Sequence, residues 1–160
     1  MKCIFLITLF FTQFSIAQTK GDTQVWIKST VENFADRNQY NNLNVYFDNN
    51  KIWFVEREDG GTFHKELDLK YITQIIIKEN NSGYTLILGC SYDKLCCEMK
   101  HYKITNEGTA RLSEVEPDNK GGVNILLVRG LREDNMVQRL KKAISHLISL
   151  NGGKVISDTF

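Results

Sequence analysis

Two hydrophobic periods divide this chain. Ile27, Val31 and Phe34 recur at helical spacing with Val25 and Trp26 beside them, and Asp22 stands where a carboxylate accepts from first-turn amides. The Asn-rich stretch 38–42 ends that pattern. From residue 43 the period drops to two. Leu43, Val45 and Phe47 alternate with Asn44, Tyr46 and Asp48, as a strand with one buried face requires. Asp48-Asn49-Asn50 suits a turn with left-handed backbone, and 52–57 is the returning strand. Asp59-Gly60-Gly61 is a second turn, before a third strand at 62–69. Residues 71–78 carry Ile72, Ile75, Ile76 and Ile77, β-branched side chains that favour a fourth strand. After the turn at 80–83, residues 84–90 and 95–104 read as a hairpin around 91–94. The polar segment 105–122 holds the single proline, Pro117, and room for a short strand at 110–115; 123–129 is the last clear strand.

The chain closes on its strongest helical pattern. Asp134 is the expected cap, Met136, Leu140, Ala143 and Leu147 form one stripe, and Val137, Ile144 and Ile148 widen it. Arg139, Lys141, Lys142 and Ser145 take the other side, and Gly152 and Gly153 stop the helix. Residues 154–160 read as a loose tail. The order of elements predicts a single α+β domain over 18–153. It comprises an N-terminal helix, a strongly bent antiparallel sheet or partly open barrel of about seven strands, and one C-terminal amphipathic helix as a cap.

Over roughly residues 43–150 this succession resembles a pleckstrin-homology-like domain, in which a helix plugs one end of a bent sheet. The run Glu66-Leu67-Asp68-Leu69-Lys70-Tyr71-Ile72-Thr73-Gln74-Ile75 is similar to the place where one strand of such a domain crosses into the next. The closing His146-Leu147-Ile148-Ser149-Leu150-Asn151-Gly152-Gly153 is similar to helix ends in small exported bacterial proteins of unknown role. The resemblance does not extend to phosphoinositide binding. Lys51 and Arg57 alone flank the acidic, amide-rich first turn, and a phosphate needs several charge-assisted donors. Lipocalin-like and cystatin-like sheets share the element order, and fold alone does not give function.

Location is the clearest message of the first residues. Lys2, the short apolar run 4–14 and the small residues Ser15 and Ala17 have the layout of a secretory signal peptide over 1–17, cut before Gln18. The run falls short of the roughly 20 residues of a membrane-spanning helix. The expected home is the periplasm or the extracellular space, with no stable membrane insertion after the signal is removed. Of twenty Lys and Arg, removal of Lys2 leaves nineteen, against nineteen Asp and Glu. A near-neutral chain with dispersed basic residues offers no field for nucleic acid or an anionic membrane.

Cys90, Cys96 and Cys97 remain after Cys3 goes with the signal. If 84–90 and 95–104 close symmetrically, Cys90 and Cys97 share the apolar face as diagonal neighbours, and Cys96 turns to the wetter one. Three readings follow, in descending order: buried cysteines acting as small apolar residues, one disulfide (Cys90 with Cys97) beside an odd thiol, and thiol chemistry. Cys97 and His101 lie four apart on one strand face and, with Cys90, make an incomplete zinc set. His64 and His146 are remote in sequence. Glu56, Glu58 and Asp59 form a charged hairpin tip, and Glu114 and Glu116 fall in the polar segment. Trp26, Trp53, Tyr46 and Phe54 are core or groove aromatics, and Asn80-Asn81-Ser82 matches a glycosylation acceptor.

These readings name no catalytic residue, no cofactor and no metal ligand. They favour a non-enzymatic exported module that binds a protein, peptide or small ligand, with recognition placed in 105–122. The alternative is a thiol-dependent redox or hydrolytic enzyme using Cys96 or the Cys97/His101 pair.

Overall fold

The computed structural model describes residues 19–58, 61–90, 96–104, 110–117 and 122–156. The expected signal peptide lies outside them. Helix α1 (Lys20–Phe34) begins one turn before the expected cap: Thr19 Oγ1 accepts from the Asp22 amide at 3.1 Å, and the Asp22 carboxylate accepts from the Thr19 amide at 3.3 Å. Asp22 is therefore the reciprocal member of a capping box, three residues inside the helix.

Among the described residues eight antiparallel strands follow: β1 (Leu43–Asp48), β2 (Lys51–Glu58), β3 (Gly61–Asp68), β4 (Ile72–Glu79), β5 (Gly83–Cys90), β6 (Cys97–Ile104), β7 (Ala110–Pro117) and β8 (Gly122–Val128). They form a five-stranded sheet in the order β1-β2-β3-β6-β7 and a three-stranded sheet in the order β4-β5-β8. No closed barrel forms among the described residues. The registers explain the division. Leu67 of β3 faces Cys97 of β6, and Ile72 of β4 faces Cys90 of β5. Glu98 of β6 faces Pro117 of β7, and Gly89 of β5 faces Gly122 of β8. The chain thus crosses from one sheet to the other three times at the same level: β3 into β4, β5 into β6, and β7 into β8. The result is two antiparallel sheets joined by these three crossings, with a 3₁₀ turn (Leu69–Tyr71) at the first.

This corrects one expectation and lengthens another. Residues 84–90 and 95–104 are not a hairpin; β5 and β6 run end to end in different sheets. A polar stretch between two apolar runs looks the same in sequence whether the chain reverses or merely bends. Segment 105–122, expected to be polar with room for a short strand at 110–115, carries the strand β7. Its Leu112 and Val115 are 47% and 44% exposed, so no buried face writes an alternation into the sequence. The β1–β2 turn is as expected, with Asn49 at φ 49°.

Helix α2 (Met136–Leu150) buries Leu140, Ile144, Leu147 and Ile148 and packs on β4 and α1. Asp134 is not its cap. A 3₁₀ turn (Arg129–Asn135) precedes it, and Asp134 and Asn135 both take left-handed backbone (φ 52° and 55°), which short polar side chains tolerate. Gly152, at φ 77°, ends the helix, with the Gly152 amide donating to the Ser149 carbonyl and the Gly153 amide to the Ile148 carbonyl, each at 3.0 Å. Helix α1 lies against β1 and β8. Just after it, Ala35 bridges Leu127, and the Asp36 amide donates to the Leu126 carbonyl at 3.0 Å. Lys20 ties the ends together, donating to Asn151 Oδ1 at 2.7 Å and to the Asn49 carbonyl at 2.9 Å.

Candidate functional site

Helix α2 is amphipathic for packing, and its outer face is also one-signed. It carries Arg139, Lys141, Lys142 and His146 and no acidic residue. Helical spacing sets two rows side by side, Lys141–Ser145–Ser149 and Gln138–Lys142–His146. Strand β4 runs beneath. In a regular strand Ile72 and Ile75, three apart, would face opposite sides; the irregularity between Ile72 and Gln74 returns both to the buried side. Beyond Gly152 the chain comes back along the free edge of β4, where the Ile156 amide donates to the Thr73 carbonyl at 2.8 Å. The first part of the expected loose tail is therefore laid against the sheet.

These three pieces enclose a groove of about 530 Å³ between α2, β4 and the returning chain. Val155 and Ile156 supply its apolar surface over the buried Ile75, Lys141 and Lys142 its cationic rim beside His146, and none of its lining residues is acidic. A second groove, of about 490 Å³, lies on the other side of Lys142 and His146. There Trp26 of α1 meets Arg139 and Ala143, with the guanidinium carbon of Arg139 5.4 Å from the centre of the Trp26 ring. Lys142 and His146 thus form a basic ridge between two partly apolar grooves.

The cations elsewhere are differently placed. Lys65 pairs with Glu56 at 2.9 Å, Lys28 pairs with Glu32, and Lys51 pairs with Glu66. Lys100 bridges Glu98 at 2.9 Å and Glu66 at 3.2 Å. Glu66 is buried on the outer side of the five-stranded sheet. Burial pushes its pKa up, but hydrogen bonds from Lys51 and Lys100 outweigh that and hold the carboxyl below the usual range. Lys100 is pushed up, first by its bond to Glu98. His64, opposite Lys100, is pushed down by burial and then by the Lys100 charge. The Trp53 indole N–H, opposite Glu66, is buried without a hydrogen-bond partner. This cluster satisfies its own charges and presents no unneutralised group to a ligand.

The residues singled out in the sequence do not converge. Cys90 is disulfide-bonded to Cys96, with 6.0 Å between their Cα atoms. That corrects the Cys90–Cys97 pairing, which rested on the β5–β6 hairpin. Neighbours on a strand face opposite ways, and Cys97 points to the core opposite Leu67, 2% exposed. Cys97 and His101 share a face of β6, but four residues of extended chain separate them by about 13 Å, beyond the reach of a thiol–imidazole pair. His101 stacks on Phe63 with ring centres 4.1 Å apart, and His64 tilts against Tyr102 at 4.5 Å. His146 belongs to the rim of the α2 grooves. Among the described residues no cluster of three or more His, Cys, Asp or Glu side chains is arranged to hold a metal ion. Likewise no described helix is long and apolar enough to cross a membrane.

Of the four aromatics singled out in the sequence, Phe54 is core, Tyr46 faces Trp53 across β1 and β2, and Trp26 lines the second groove. The Asn80 carboxamide is occupied within its turn, accepting from the Ser82 and Gly83 amides at 2.8 Å. Asp59 and most of the loops of 105–122 lie outside the described residues. The grooves had one trace in the sequence: a helix with adjacent lysines, a histidine one turn on and no acid, followed by Val155-Ile156. Comparison with protein-family models, with curated proteins and with solved structures gave no match.

Proposed function

We propose that this chain is an exported, non-enzymatic binding module of pleckstrin-homology-like architecture, with its ligand seated in the groove between α2 and β4. The carrying observation is the groove itself: an apolar surface from Val155 and Ile156, over the buried Ile75, beside an acid-free basic rim. Its volume of about 530 Å³ suits a small molecule, since such sites run from about 300 to 1,000 Å³. The layout of residues 1–17 supports export. The bent antiparallel sheet, followed by a helix packed on it, supports the pleckstrin-homology-like reading. Placing the ligand on α2 rather than in 105–122 follows from chemistry. The described part of that segment is an edge strand, whereas the groove combines apolar surface with unneutralised charge.

The neutral fluorophore N-phenyl-1-naphthylamine tests the seat. Its emission should rise with the native chain. Ser145→Trp, which fills the groove from a half-exposed position, should abolish the rise without lowering the melting temperature. Undiminished emission with Ser145→Trp moves the site elsewhere. Turnover of any substrate that is lost on Cys97→Ser or His101→Ala overturns the non-enzymatic reading.

A further inference from the structure

Given the groove as the ligand seat, on which this inference rests, we infer that it selects a free amphipathic anion: an aliphatic chain ending in a single carboxylate. Three observations converge. The lining offers Val155 and Ile156 to an alkyl chain, with Ile75 buried beneath them. Lys141 and Lys142 border it without a carboxylate. Among the described residues neither forms a salt bridge, whereas Lys28, Lys51, Lys65 and Lys100 each do. The helix that carries them has no acidic residue to compete for them.

A carboxylate is the complement to such a pair. It accepts charge-assisted hydrogen bonds from ammonium groups and leaves a neutral or cationic head with nothing to gain. The apolar chain supplies affinity in proportion to the surface it removes from water. Ser145 stands between the lysine row and Ser149, a hydroxyl within the rim that accepts or donates as the head requires. A folded protein partner would demand far more surface than this groove offers. An anionic membrane would demand a cluster of about four to eight Lys or Arg on a surface helix, and α2 carries three, Arg139, Lys141 and Lys142. A monomeric ligand fits both limits.

Three twelve-carbon probes separate the possibilities by calorimetry below their micelle concentrations: dodecanoate, dodecanol and dodecyltrimethylammonium. Dodecanoate should bind at least about tenfold more tightly than dodecanol, the scale of one charge-assisted contact, and the ammonium should not bind. Lys141→Gln with Lys142→Gln should remove that preference and leave dodecanol binding and the melting temperature unchanged. Equal affinity for dodecanoate and dodecanol, blocked by Ser145→Trp, overturns the anion inference while leaving the groove as the seat. Failure of all three probes together with N-phenyl-1-naphthylamine overturns the seat as well. Sedimentation with phosphatidylglycerol vesicles without dodecanoate binding overturns the free-ligand reading in favour of a membrane. Dodecanoate binding seen only after residues 157–160 are deleted identifies the chain's own tail as the occupant and also overturns it.

Discussion

Cys90 is bonded to Cys96 at the bend of the sheet, where the chain leaves β5 and enters β6. The bridge closes a short loop, opposite the 3₁₀ turn by which β3 enters β4. Loop-closure entropy for so short a loop is about 2 kcal/mol. Cys90→Ser with Cys96→Ser should therefore lower the unfolding free energy by about that amount. Peptide mapping without reductant should recover residues 90 and 96 in one cross-linked species, unaffected by Cys97→Ser. A cross-link between peptides containing 90 and 97 alone would contradict the register at the bend.

Leu140 is fully buried beneath α2. Leu140→Ala should destabilise the fold by about 2–5 kcal/mol, the range for losing a core leucine side chain. Leu140→Asp should abolish cooperative unfolding, because it buries a carboxylate with no partner. Urea titration followed by circular dichroism checks both, and an unchanged midpoint would mean that the helix is not docked.

Gly83 and Gly21 should respond oppositely to alanine. At Gly83 a Cβ would run into the Leu127 carbonyl oxygen, a backbone atom held in the β5–β8 ladder. At Gly21, in the first turn of α1, the nearest atom is Thr19 Oγ1 at 3.8 Å. Gly83→Ala should lower the melting temperature. Gly21→Ala should hold or raise it, since alanine is the better helix former by up to about 1 kcal/mol. Thermal melts of the two variants side by side test this.

Acid should weaken the fold in two stages. His64 is held below the usual value of about 6.5, so the unfolded chain takes up its proton first; stability present above that pH is lost as pH falls through the folded value. Glu66 is held below the usual carboxylate value of about 4.3, so its contribution is complete above that pH and disappears as pH falls through the lower folded value. Urea midpoints should be level near neutrality, then decline below about 6.5 and again below about 4.3. Glu66→Gln should flatten the lower stage, and His64→Asn the upper.

Much of this architecture is written in local patterns. The β1–β2 turn at Asn49, the stripe of α2 and its stop at Gly152 each follow from side chains within a few residues. What escaped is long-range. Whether β5 and β6 pair with each other or continue into different sheets depends on partners as far away as β3 and β8, and the same apolar alternation serves either case. Strand β7 was legible only as room for a short strand at 110–115, because an edge strand with exposed Leu112 and Val115 needs no alternation. The candidate site escaped for a third reason. Its basic residues and the following Val155-Ile156 are legible near the end of the chain, but their return along the edge of β4, over the buried Ile75, is set by a long-range hydrogen bond from the Ile156 amide to the Thr73 carbonyl.

The central claim is that α2, β4 and the returning C-terminal chain form the ligand seat. Amide chemical-shift mapping of the isotope-labelled chain during dodecanoate titration tests it most directly. The account predicts saturable shifts confined to Ile75, residues 138–149 and residues 155–156, with those of β6 and β7 unmoved. Shifts centred on β7 and its flanking loops, or none at saturating dodecanoate, would contradict it.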